Sequence, residues 1–374
     1  MPVIVMKAAE GLCDRLQVLS HCFRYCELHG AALCVDWKDW VWGGGEYDFW
    51  DFFEIVGIKI MSKEMVLNLV ASGRMDVRPK TWDLNKIASP FYAELLKEEY
   101  VGDCMNYTEH KCEGDVLVTN GAGKRIFDVS ALSRFLRIKP NIAREVKRIL
   151  TKNFLPSVPL VHLRGTDRPD GGFVENAINY FTKFPSPRIQ LVSDMEELIQ
   201  KFQDKHPHAH LVNPKAEVRK LPNTKARGSH QANPKELAAY GVRKRQMIID
   251  LLADWVALYS ASVAFGREES TYFMLARMLH DVVPIPDSSK LLGWKMLERD
   301  GKLEWEEVDR ACVPRNREEI NTASKLTENK RFSRIIDHKQ MPAPINETAV
   351  LPNRLQEEAS KTTGGDVPVA QSVC

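Results

Sequence analysis

With 374 residues, 44% of them hydrophobic and 27% charged, the chain is long enough for two ordinary hydrophobic cores and has the make-up of a soluble globular protein. A formal charge of +2 gives no case for a nucleic-acid partner or an anionic membrane surface, so basic clusters such as Arg243, Lys244 and Arg245 read as solvated helix faces. No stretch reaches the ~20 apolar residues of a membrane span. The apolar run at the N-terminus is too short for a secretion signal, which places the expected site of action in the cytoplasm, of a bacterium or of a virus-infected host. The 8 cysteines include no CxxC pair and fit free thiols better than a disulfide framework. Cys104, His110 and Cys112 lack a fourth ligand at a zinc-site spacing, and no cofactor or metal is expected. The sequons at Asn106 and Asn346 carry meaning only in a secreted chain.

In chain order, residues 3–6 form an apolar, partly β-branched run that predicts a strand. Residues 13–29 keep helical spacing through Leu16, Val18, Leu19, Cys22, Phe23 and Cys26, with Gly30 placed to end the helix, and 31–36 predict a second strand. This β-turn-α-β opening is that of an open α/β sheet. Residues 37–51, WKDWVWGGGEYDFWD, fit neither periodicity; they are either a loop over a crevice whose rings stack on sugars or an aromatic packing excursion. Helices are predicted over 63–71, 89–99 and 141–152, and a strand over 114–119 that ends in the glycines at 121 and 123.

The second half repeats the rhythm. Strands are predicted at 158–163, 188–193, 209–212, 261–265 and 282–285, with helices at 195–206, 235–260 and 270–280. A polar, basic connection spans 213–234 and is long enough to be mobile or a lid. Beyond residue 313 large apolar side chains become scarce, which predicts a disordered or loosely docked tail. No internal repeat is visible.

Three strand-to-loop junctions carry the chemistry, because an open parallel sheet presents such junctions to a ligand. The first is Gly11 to Arg15: a glycine that admits a close backbone approach, a helix start with unpaired N–H groups, the Asp14 carboxylate and the fixed charge of Arg15. The second is the polar burst that ends the strand at 158–163. His162 and Arg164 share one face of it, and a guanidinium there matches phosphate bidentately unless Asp167 takes it. The third is Gly266 to Thr271, where Ser270 and Thr271 open a helix and offer hydroxyl and backbone donors to phosphate. Two α/β halves with anion-suited loops, without a Walker sequence, a metal-ligand cluster or GxGxxG, predict a nucleotide diphosphate held without a divalent ion. That is the arrangement of a metal-independent nucleotide-sugar glycosyltransferase.

The same motifs resemble a known family. HLRGTDR, from His162 to Arg168, resembles the His-x-Arg-Arg-x-Asp-Lys motif of α-1,6-fucosyltransferases of the nodulation and core-fucosylation type, and the His-Leu-Arg run of the protein O-fucosyltransferases. GLCDRLQVL with the following VDW, VSDMEEL around Asp194, and the stretch from Asp254 to Ala276 are similar to further motifs of that family, in the same order. The resemblance spans residues 3–285 and implies an α/β GT-B fold, two Rossmann-like domains facing a central cleft. Residues 1–155 would form the acceptor side with the pyrophosphate loop, 156–312 the GDP-sugar domain, and 313–374 the tail. It implies inverting transfer of L-fucose from GDP-fucose to a hydroxyl of a glycan acceptor, with another GDP sugar, or a non-catalytic sugar-nucleotide or glycan-binding role, as alternatives.

By the resemblance, His162 and Asp254 contact the guanine nucleoside, Arg164 and Ser270 the diphosphate, and Asp194 lies by the nucleotide. Gly11 lines the pyrophosphate loop, and Asp14 and Arg15 approach the transferred sugar, Asp14 and Arg164 being the catalytic candidates. The sequence departs from the family at Gly165, where a second arginine is usual, and at Arg168, where lysine is. The position of the core enzyme's proposed base is occupied by Gly172, with Asp170 and Glu175 nearby, so the base stays open.

Overall fold

The computed structural model describes residues 1–7, 11–78, 80, 82–89, 115–119, 128–165, 172–221, 232–282 and 291–308. β1 (Val3–Lys7) runs through α1 (Leu12–His29) to β2 (Ala32–Asp36). α1 ends at Gly30, whose φ of 62° lies in the left-handed region that glycine enters without a Cβ penalty. Next come α2 (Trp40–Gly43), α3 (Phe49–Phe52), β3 (Phe53–Ile55), α4 (Lys63–Ala71), β4 (Val77–Arg78), α5 (Leu84–Ala88) and β5 (Val116–Thr119). α6 (Val129–Phe135), β6 (Leu136–Ile138) and α7 (Pro140–Asn153) close the first half.

The second half contains β7 (Leu160–Leu163), α8 (Phe173–Lys183), β8 (Ile189–Ser193), α9 (Glu196–Gln203) and β9 (Ala209–Leu211). A 3₁₀ turn at Glu217–Lys220, α10 (Pro234–Ala239), α11 (Lys244–Ser260), β10 (Ala264–Phe265), α12 (Thr271–Val282) and the hairpin β11 (Trp294–Arg299) and β12 (Lys302–Glu307) follow.

Two four-stranded sheets result, in the orders β2-β1-β5-β4 and β10-β7-β8-β9, and each pairing within them is parallel. The side-chain period of two divides each sheet into two buried faces, as parallel sheets require. Val3 and Val5 of β1 pack towards Val66 of α4 and Ile87 of α5, whereas Ile4 and Met6 point into the largest core. That core also takes Leu160 and Val192 from the second sheet and the apolar sides of α1, α6, α7, α11 and α12, so helices of both halves share it. The far face of the second sheet, Val161, Leu163, Ile189 and Leu191, is covered by α8 and α9.

β1 lies between β2 and β5, and β7 between β8 and β10, so in each sheet the chain leaves that strand's neighbourhood in both directions. Such switch points open a crevice beyond the strand's C-terminal end.

The structure corrects several expectations. The single helix predicted over 235–260 is two, because Gly241 at φ 61° and Val242 turn the chain between them. α10 has its own N-terminal capping box from Asn233 and Glu236. The aromatic stretch after residue 37 contains α2 and α3, and its rings pack on one another: Trp37 lies 5.3 Å from Trp42 and 4.9 Å from Phe49, ring centre to ring centre. Val282 ends α12, so it does not open a strand; the rest of that predicted strand, most of the helix predicted at 89–99, the glycines at 121 and 123, and the whole tail lie outside the described residues. α6, α8 and the β11–β12 hairpin had no counterpart in the sequence reading.

Candidate active site

A cavity of about 340 Å³ opens at the C-terminal ends of β1 and β7, the two switch-point strands. The three junctions singled out in the sequence meet in it. From the first sheet come Gly11 and the opening turn of α1 through Asp14. Gly11 is the extended N-cap of α1 and gives no side-chain cap, the setting in which a helix start suits an anion. From the second sheet come His162 near the end of β7, Arg164 beyond it, Ser193 at the end of β8 with Asp194 after it, and the loop after β10 with Arg267, Glu269, Ser270 and Thr271.

The start of α12 is shaped by its own sequence. Ser270 Oγ accepts from the Phe273 N–H at 3.4 Å, the local bond of an N-cap serine. The Phe273 ring stacks parallel to the His162 imidazole, 5° between planes and 6.0 Å between centres. Gly266 makes that possible: a Cβ there would stand 2.4 Å from the Phe273 ring. The Tyr272 hydroxyl donates to the Leu251 carbonyl at 2.6 Å and ties α12 to α11.

Asp254 projects from α11 into the cavity wall and is buried. Burial pushes its carboxyl up to about 8, with Asp250 and Asp194 adding to the rise and Arg219 opposing it. Its Oδ1 has no hydrogen-bond partner among the described residues. A buried carboxyl at a cavity wall in that condition suits a ligand that brings its own N–H donors. Cys13 also lines the cavity; burial, with Asp14, holds its thiol well above the ordinary value and Arg164 acts against that. It is therefore a neutral wall and no nucleophile.

Arg15 is placed otherwise than expected. It is fully buried at 0% exposure and is not among the residues lining the cavity. Its guanidinium bonds Asp39 at 2.7 Å and lies 5.6 Å from the centre of the Trp37 ring. Asp39 in turn accepts from the Trp42 N–H at 2.7 Å. The residue braces the aromatic excursion and is not part of the cavity wall. Of that excursion, Val41 and Trp42 line the cavity, so the packed aromatic cluster also borders it.

Lys244 is a second correction. It does not belong to a solvated face: it is 8% exposed, lines the cavity and donates to the Val41 carbonyl at 2.9 Å. Burial pushes its ammonium down to about 8, with Asp39 opposing and Arg15 reinforcing the shift. Its neighbours Arg243 and Arg245 pair with Glu217 and Glu145. Sequence reasoning also passed over Arg267 and Glu269, although both lie inside the third junction it quoted. The signal was present in the position, two and four residues beyond the end of β10, but not in any periodicity.

Among the described residues no group of His, Cys, Asp or Glu side chains clusters in a way that could hold a metal ion, and no helix is long and apolar enough to cross a membrane. Glu175, one neighbour of the open base position, pairs with Lys201 at 2.7 Å and is not part of the cavity lining. Asp167, Arg168 and Asp170, like Cys104, His110 and Cys112, lie outside the described residues. Cys13, Cys22, Cys26 and Cys34 are buried and outside any disulfide.

No protein-family model and no curated protein matches the chain. Solved structures do. The crystal structure of the fucosyltransferase NodZ from Bradyrhizobium is similar over 82% of this chain and 99% of its own, with a TM-score of 0.52 and 17% identity. The NodZ α-1,6-fucosyltransferase co-crystallized with GDP is similar over the same shares, with a TM-score of 0.50 and 15% identity. The chain thus has the mixed α/β fold, with parallel sheets, of the NodZ fucosyltransferase structures.

Proposed function

We propose that the cavity holds the diphosphate of a GDP sugar and that the chain is a metal-independent, inverting fucosyltransferase acting on a glycan hydroxyl. The observation that carries this reading is the meeting of the junctions after β1, β7 and β10 in one cavity at the switch points of two parallel sheets. In the proposal His162 and Asp254 face the guanine nucleoside, whose N–H donors match the Asp254 carboxyl, and Asp194 lies beside the nucleotide. Arg164, Gly11 and the α12 start at Ser270 and Thr271 surround the diphosphate, and Asp14 faces the sugar. The fold shared with a structure co-crystallized with GDP supports that placement.

The acceptor oxygen attacks the anomeric carbon from the side opposite the diphosphate. The bond from that carbon to the β-phosphate oxygen breaks, and GDP leaves with the electron pair while the acceptor's proton passes to a carboxylate. Negative charge grows on the diphosphate as the bond opens, so fixed donors at Arg164 and at the helix start lower the barrier. Arginine and backbone dipoles supply the charge that a divalent ion would otherwise bring, hence the proposed metal independence.

Calorimetric titration of the full chain with GDP-fucose and GDP-mannose in EDTA, followed by GDP release in the presence of glycan acceptors, tests the reading. Tighter binding of GDP-fucose with acceptor-dependent GDP release is expected. Preference for GDP-mannose would reassign the donor, saturable binding without turnover would leave a binding module, and strict dependence on manganese would remove the metal-independent mechanism.

A further inference from the structure

We propose that Arg267 is a second cationic ligand of the diphosphate, held in place by Glu269 until the anion arrives. The inference rests on the reading of the cavity as a GDP-sugar site. A diphosphate presents clustered anionic oxygens, one guanidinium fork addresses only two of them, and charge grows further as the sugar departs. A second cation in reach of the same oxygens is therefore expected on chemical grounds alone.

Position 165, next to Arg164, does not supply it. The following residue is Gly165, and a Cβ there would stand 2.4 Å from Met195 Sδ and 2.9 Å from Leu198 Cδ1. The Met195 and Leu198 side chains at the start of α9 crowd the space into which a long side chain at 165 would extend. The loop after β10 offers the cation instead, because Arg267 lines the same cavity as Arg164 and the first residues of α12. Its Nε lies 3.3 Å from Glu269 Oε2, and its side chain is 17% exposed.

The backbone on both sides of Arg267 is fixed. Gly266 packs against the Phe273 ring, Phe273 stacks on His162, and the Ser270 N–H donates to the Arg267 carbonyl at 3.1 Å. Glu269 also lines the cavity, and a carboxylate facing an incoming diphosphate repels it unless a cation lies between them. An arginine paired to that glutamate both neutralises the repulsion and can exchange the carboxylate for a phosphate oxygen, since the fork matches either. The two residues thus act in opposite senses on diphosphate affinity.

Calorimetry on the full-length chain with GDP, GMP and inorganic pyrophosphate tests this, using wild type, Arg267→Ala, Arg267→Lys and Glu269→Gln. Loss of a charge-assisted contact predicts that Arg267→Ala weakens GDP by about 10-fold or more, with Arg267→Lys in between. GMP, which lacks the β-phosphate, should change by less than about 3-fold, corresponding to no lost charged contact. Glu269→Gln should hold or tighten GDP binding, an outcome that a merely structural ion pair would not give. GDP affinity unchanged in Arg267→Ala, or GDP and GMP weakened alike by both substitutions, overturns the inference while leaving the GDP-sugar reading intact. If wild type ignores GDP yet binds pyrophosphate in an Arg267-dependent way, the GDP reading falls and the inference stands. If it binds neither, both fall.

Discussion

Arg164 and Asp254 are the side chains on which the proposed site depends most. Arg164→Ala removes a preorganised donor to the leaving group and is expected to cost about 10²–10³-fold in turnover, with an unchanged melting temperature. A melting temperature that dropped with activity would show a structural role in its place. Asp254 sets a pH dependence whose sign follows from its position. Its folded-state value of about 8 lies above the ordinary ~3.9 of an unfolded aspartate, so between those values the folded chain keeps a proton that the unfolded chain has released. The contribution to stability is fully present below the lower value and is lost as pH rises through the upper one. Asp254→Asn should therefore lose less melting temperature than wild type on going from acid to pH 8. GDP, by presenting donors to the carboxylate, should release a proton on binding near neutrality, visible in titrations run in buffers of different ionisation enthalpy. His162 and Arg164 were legible in the sequence because polar residues break abruptly into the end of an apolar run, and Ser270 because it opens a helical pattern. Lys244 was not: its charge and its basic neighbours look like a solvated face, and only the packing of Val41 above it shows otherwise.

At the scale of elements, the chain-order reading succeeded where periodicity was strong and local, as in α1, α4, α7, β1, β2 and β8. It failed where tertiary contacts decide. α6 is seven residues long and nearly all buried, so it shows no polar face to reveal a period. The break between α10 and α11 depends on a single glycine in the left-handed region. Two junctions make separable predictions. Gly266→Ala places a methyl 2.4 Å from a ring that stacks on His162, and such overpacking typically costs about 1–3 kcal/mol; chemical denaturation should find it, with GDP affinity falling in parallel. Gly165→Ala meets the flexible end of Met195 and should cost less. Asp39→Ala would remove a carboxylate paired to the fully buried Arg15 guanidinium, and breaking a buried pair costs about 3–5 kcal/mol, measurable by the same denaturation curves. A variant as stable as wild type would contradict the bracing role given to Arg15.

For the molecule as a whole, the alternation of strand and helix announced parallel sheets, and the sheets place their switch points where the sequence had its polar junctions. What the sequence could not show is that helices from both halves enter one core, because that depends on long-range packing of α1, α6, α7, α11 and α12. That shared core holds the first-sheet wall of the cavity, with Asp14 and Trp42, against the second-sheet wall, with Arg164 and Ser270, so the site needs both halves. The most direct test of the central claim is transfer of labelled fucose from GDP-fucose to a panel of glycans in the presence of EDTA, with wild type and Arg164→Ala side by side. The account predicts a fucosylated product from wild type, undiminished by the chelator, and almost none from the variant. No product from any glycan, or equal product from both proteins, would contradict it.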